Sequence, residues 1–213
     1  MTKGRGNDRI VMDSRFRGND RQSINKVFIK KLCFMDYKEK SKELLQKYIK
    51  NQNLQKHCYA VESCMRFYAQ KFNEDEERWA AAGLLHDIDW EMYPDEHPNK
   101  SPEILSEAGF DKEFIDCILS HAYPERTNVP RDTIMSKYLF ACDEITGLVL
   151  AYSLMKPGGL NEVEPKGVMK KMKDKAFARN VNREDIKKGV EEIGMDLSEH
   201  ILNVIEAMKI KNR

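Results

Sequence analysis

Residues 54–72, LQKHCYAVESCMRFYAQKF, set Leu54, Cys58, Val61, Met65, Tyr68 and Phe72 at alternating steps of four and three. That spacing is one apolar stripe along an α-helix and does not fit the two-residue period of a strand. Asn73 suits the helix stop, and Glu74, Asp75, Glu76 and Glu77 crowd the next first turn, where the helix dipole favours anions. The helix that follows passes through Ala80-Ala81-Ala82-Gly83-Leu84-Leu85, whose small side chains let a neighbouring helix come close. Upstream, residues 37–50 read as a charged amphipathic helix. Downstream, after a loop around Pro94 and Pro98, Ser101-Pro102-Glu103 has the form of an N-cap with proline at the first helical position. Asp111 opens a helix that turns Phe114, Ile115, Ile118, Leu119 and Ala122 inward, and Asp132 opens a long one to about residue 155. Pro157-Gly158-Gly159 breaks the chain, and weaker helices are expected at 163–175, 182–193 and 196–210. No segment alternates as a strand would, so the fold class is all-α, a compact multi-helix bundle.

The ends of the chain differ in character. The pentapeptide RGNDR occurs at 5–9 and again at 17–21, and residues 1–35 hold nine basic residues against three acidic ones. This segment is read as an extension outside the fold, with the helical core over 36–156 and a C-terminal helical segment over 157–213 packing on or near the site. Across 213 residues the formal charge is +1, which gives no bulk attraction to nucleic acid or anionic membrane. No uncharged apolar run approaches the roughly 20 residues of a membrane-spanning helix. Five scattered cysteines form no CxxC pair, which fits reduced thiols and a cytoplasmic location.

Chemistry is expected where polar groups interrupt the apolar faces. Between Tyr138 and Met155 the charged residues are Asp143 and Glu144 alone, and a buried carboxylate is costly unless it is paired or bound to a metal. His86-Asp87 ends an uncharged run from Trp79. His57 borders the stripe of its own helix, and His121 follows Ile118 by three residues on an inward face. Four helices therefore each bring a histidine or aspartate towards the core, and such clusters are the usual composition of a metal site.

The order of these residues is specific. His57, then His86-Asp87 within GLLHDID (83–89), then Asp143 on a long later helix resembles the HD superfamily of metal-dependent hydrolases, over about residues 52–155. The resemblance implies a metal site between the core helices, with His57, His86, Asp87 and Asp143 binding a first ion. With His97 and His121 added, the order is similar to that of two-metal members, in which Asp87 would bridge both ions. The Gly-Tyr-Pro signature of the HD-GYP branch is missing from His121-Ala122-Tyr123-Pro124, and Asp89-Trp90 stands where that branch places Gly-Lys, so cyclic di-GMP turnover is not implied.

The expected activity is therefore hydrolysis of a small phosphorylated substrate (a phosphomonoester, a nucleotide or a cyclic phosphodiester) by metal-activated water. The cofactor is one or two divalent ions among Mn, Fe, Co, Ni, Mg and Zn. Asp89 and Glu144 are the candidate acid–base residues, Asp89 preferred, with Glu91 also considered. Between Lys166 and Arg183 seven basic residues face one acid, Asp174, and Lys175 and Arg179 beside Phe177 are the candidate phosphate-binding lid. Trp90, Tyr93 and Tyr123 are placed around the site, and His200 is read as a surface helix histidine. A di-iron oxygenase and a non-catalytic metal-binding sensor remain as alternatives. No nucleic-acid or membrane partner is expected, and a homodimer is compatible with the sequence.

Overall fold

A computed structural model describes residues 35–210. The chain divides into two units, and the second, Asp36–Arg213, carries every element described below. The expectation for the basic extension thus falls on residues outside those described, Met35 excepted.

Nine α-helices and one short 3-10 turn make up the described chain, without strands. Helix α1 is Tyr37–Tyr48, α2 Gln52–Phe72, α3 Glu76–Leu85, α4 Ser101–Glu107, α5 Lys112–Ser120 and α6 Ile134–Ser153. A 3-10 turn at Gly159–Glu162 precedes α7 Pro165–Met172, α8 Arg183–Glu192 and α9 Leu197–Ile210. The caps are the small polar residues that can satisfy the free amides of a first turn. Asp36, Asn51, Asp75, Asp111, Thr133 and Asn182 each accept from their own helix's amides. The start of α6 is set at Thr133, one residue later than read from sequence, because Thr133 and Ser136 form a reciprocal capping box.

Helices α2 and α3 pack most extensively, and α6 lies against α2, α5, α8 and α9. The small-residue run explains the α2–α3 approach. A Cβ on Gly83 would stand 2.8 Å from backbone atoms of Val61 and Glu62, so no larger residue fits without moving a helix. Gly189 of α8 has the same relation to Ala141 of α6, with a Cβ 2.8 Å from the Ala141 Cα. The stripe on α2 is buried at Cys58, Val61, Met65 and Tyr68, while Phe72 at its end is half-exposed. Each such large side chain contributes roughly 1.5–3 kcal/mol of transfer free energy on burial.

One reading of α9 is corrected. His200 is not on the surface; it is fully buried. Its Nε2 donates to the carbonyl of Ala141 at 2.8 Å, and its Nδ1, 2.7 Å from the Tyr68 hydroxyl, accepts from it. The histidine therefore ties α9 to α6 and α2. Burial pushes its pKa down to about 4 and keeps it neutral. The signal was present in the spacing: Val204 and Ala207, four and seven residues on, are both buried. Cys58, Cys64, Cys117 and Cys142 are free thiols buried in the core. No helix among the described residues is long and apolar enough to cross a membrane.

Candidate metal centre

Six side chains converge where α2, α3, α5 and α6 meet. His57 comes from the first half of α2, His86 and His121 are the C-cap residues of α3 and α5, and Asp143 stands in the middle of α6. Asp87 and His97 lie on the turns between α3 and α4. They form two groups, His57–His86–Asp143 and Asp87–His97–His121, and within each group the donor atoms lie within 4.8 Å of one another. His57 Nε2 is 3.0 Å from Asp143 Oδ1 and 3.2 Å from His86 Nε2. His97 Nε2 is 3.1 Å from His121 Nε2. Asp87 joins the groups: its Oδ2 is 3.4 Å from His86 Nε2, and its Oδ1 is 3.6 Å from His97 Nε2.

The hydrogen bonds on the far side of the rings fix which nitrogens face inward as acceptors. His86 Nδ1 donates to the Gly83 carbonyl at 2.8 Å, His121 Nδ1 to the Ile118 carbonyl, and His97 Nδ1 to Asp89 Oδ1 at 2.7 Å. With Nδ1 carrying the hydrogen, a neutral ring presents the Nε2 lone pair. Two such lone pairs 3.1 Å apart, as in His97 and His121, repel unless a cation lies between them. A carboxylate oxygen converges on the same space, which suits a metal ion better than one shared proton. The residues present therefore fit a metal.

Charge in the site is strongly coupled. Burial opposes an imidazolium at His86, yet the carboxylates of Asp87 and Asp143 outweigh it and raise its pKa. Burial opposes ionisation of Asp143 too, but His86 and His57 hold its carboxyl well below the usual range. His121, enclosed by protein and facing His97, is pushed down to about 4. Glu144 is pushed up to about 8, first by burial and then by the charge of Asp143.

Both groups open on a cavity of about 390 Å³. His86 lies beneath it, wholly enclosed, while the wall adds Trp90, Arg126, Glu144, Asn180 and Asp185. Glu144 is thus at the cavity, its Oε2 accepting the Asn182 amide at 2.9 Å. Asp89 is not. It is fully buried behind His97, and its Oδ2 accepts the amides of Lys100 and Ser101 at 3.0 Å each. With both oxygens occupied, Asp89 orients His97 and holds the start of α4; it has no route to a substrate proton. Glu91 accepts the amides of Lys50 and Asn51 and belongs to the α1–α2 corner. Lys175 and Arg179 do not line this cavity but a neighbouring one. Of the three aromatic residues, Trp90 lines the cavity, its ring edge-on to His97 at 4.9 Å, whereas Tyr93 and Tyr123 do not.

Among the described residues the cation lining the cavity is Arg126, which the sequence reading missed. Its Nη1 donates to the carbonyls of Pro94 and His97 at 3.1 and 3.0 Å, fixing the head beside the second group. The available signal was its position five residues after His121, in a loop where no periodicity could rank it. Arg131 supports the same region from behind. It pairs with both oxygens of Glu192 at 2.8 Å and donates to the carbonyls of Ser120 and Tyr123, which flank His121.

Residues 54–148 match the family model of the HD domain. That segment is similar to an HD domain. The matched segment runs from the first turn of α2 into the second half of α6 and contains all six converging residues. Comparison with curated proteins and with solved structures returned no match. The His and Asp groups within the matched segment are able to hold metal.

Proposed function

We propose that this protein hydrolyses the phosphate ester of a small molecule. The observation that carries the reading is one carboxylate, Asp87, shared between two donor groups on the wall of a cavity that also presents a fixed guanidinium. His57, His86, Asp143 and Asp87 would hold one divalent ion, and Asp87, His97 and His121 a second. Such ions, when bound, lower the pKa of water towards neutrality and polarise a phosphoryl oxygen.

The protein's own groups supply the rest. Arg126, already anchored through Nη1, turns its remaining N–H donors to phosphate oxygens and neutralises their charge. Trp90, two-fifths exposed at the rim, offers a flat apolar face to the organic part of the ester. Glu144, with Oε2 engaged by Asn182, has Oε1 for a proton and serves as the acid–base group. Asp89 keeps His97 in the tautomer that presents Nε2.

The test is a panel of phosphomonoesters, nucleotides and a chromogenic phosphodiester assayed with added Mn²⁺, Mg²⁺, Co²⁺, Fe²⁺, Ni²⁺ and Zn²⁺. Metal-dependent release of phosphate, abolished in His86→Ala and Asp87→Ala, is the expected result. Two irons per chain with dioxygen consumption and no hydrolysis would overturn it in favour of oxygenase chemistry.

A further inference from the structure

The residues first expected to form a lid line a cavity of their own. It lies between the end of α7, the 173–182 segment, the start of α8 and the first residue of α9, and measures about 540 Å³. We propose that it binds an organic phosphate, at a site separate from the metal centre.

The charge pattern is the first ground. Among the described residues, Lys173, Lys175, Arg179, Arg183 and Lys187 line the cavity with a single acid, Glu184, and that acid is paired with Lys187 at 2.7 Å. Among the described residues no carboxylate lies within ion-pairing distance of Lys173, Lys175 or Arg179, all exposed. Arg183 is committed to the backbone: its Nη atoms donate to the carbonyls of Asp174, Phe177, Ala178 and Val181, and its Nε is buried without an acceptor. Unneutralised like charges gathered in a concavity raise the local potential and concentrate anions. Shape is the second ground. Met169, Met172 and Leu197 give the cavity an apolar floor, so one part of a ligand is desolvated while another meets cations. The volume falls in the range of roughly 300–1,000 Å³ typical of small-molecule sites.

The location gives the site a consequence. Val181 lines both this cavity and the metal cavity, and Asn182 next to it holds Glu144. A phosphate held by Lys175 and Arg179 braces the segment that forms one wall of the metal centre.

Calorimetric titration of the full chain with ADP, in EDTA so that no metal contributes, tests this directly. One ADP per chain is expected, retained when His86→Ala and Asp87→Ala are combined. Combining Lys175→Ala with Arg179→Ala should weaken binding about tenfold or more, the scale of losing charge-assisted contacts. Both of these residues are exposed, so an unchanged melting temperature will show that the fold is intact. Absence of binding, loss only in the His86/Asp87 variant, or indifference to the Lys175/Arg179 variant would each overturn the proposal. So would an affinity for single-stranded oligonucleotides that grows with their length, which would mark a nucleic-acid track instead.

Discussion

At the scale of single residues, the site depends on which atom of each histidine is free. Asp89→Asn replaces an acceptor by a group that cannot accept from both His97 Nδ1 and the two α4 amides. Loss of such an orienting partner typically costs about 10–100-fold in metal affinity, and that fall is expected here for the Asp87–His97–His121 group, measured by competition with a chelating dye. Arg126→Ala should raise KM about tenfold with a smaller effect on kcat, since a charge-assisted hydrogen bond contributes about 1.5–3 kcal/mol. An unchanged KM would remove Arg126 from phosphate binding. His200 supplies a pH effect. Its folded pKa is about 4 against an ordinary 6.5, so the unfolded chain takes up a proton that the folded chain refuses as pH falls between those values. Stability is fully present above pH 6.5 and declines towards pH 4 by about 3 kcal/mol in total. Denaturant unfolding at pH 7.5 and 4.5 should show a smaller acid loss in His200→Gln than in the parent; equal losses would contradict the assignment.

At the scale of elements, two glycines separate close approach from helix propensity. Gly83→Ala forces a Cβ against the α2 backbone and should destabilise by about 3 kcal/mol, the upper part of the usual range for overpacking. Gly147→Ala in α6 meets only the Val181 Cγ2 at 3.7 Å, so about 1 kcal/mol of helix propensity should make it neutral or stabilising. Thermal unfolding of both variants checks the contrast, and a tolerated Gly83→Ala would mean that the α2–α3 contact is softer than its geometry. The elements themselves were largely legible because they are helices with a buried face. The stripe on α2, the acidic first turn before α3 and the Pro102 start of α4 each announce a local preference that the packing then uses. What was not legible is decided by turns. The chain between His86 and Ser101 returns so that two α4 amides meet Asp89, and no periodicity encodes that return.

At the scale of the whole molecule, the six candidate residues were readable as a set because each sits at a fixed place on an inward helix face or at a helix end. Their division between two ions came from the family resemblance alone, since no periodicity encodes the crossing of α2, α3, α5 and α6 that forms the two groups. The functional neighbours were still harder to see. Arg126 reaches the cavity from one loop, Asn180 and Val181 from another, while Lys175 and Arg179 turn to a different cavity from the same aperiodic segment. The central claim is that the chain holds two metal ions sharing Asp87, and metal stoichiometry by mass spectrometry on the purified chain tests it most directly. The result expected is about two transition-metal ions per chain, about one in His121→Ala, and fewer than one in Asp87→Ala. Metal-free protein that takes up no added ion, or an unchanged count in His121→Ala and Asp87→Ala, would contradict it.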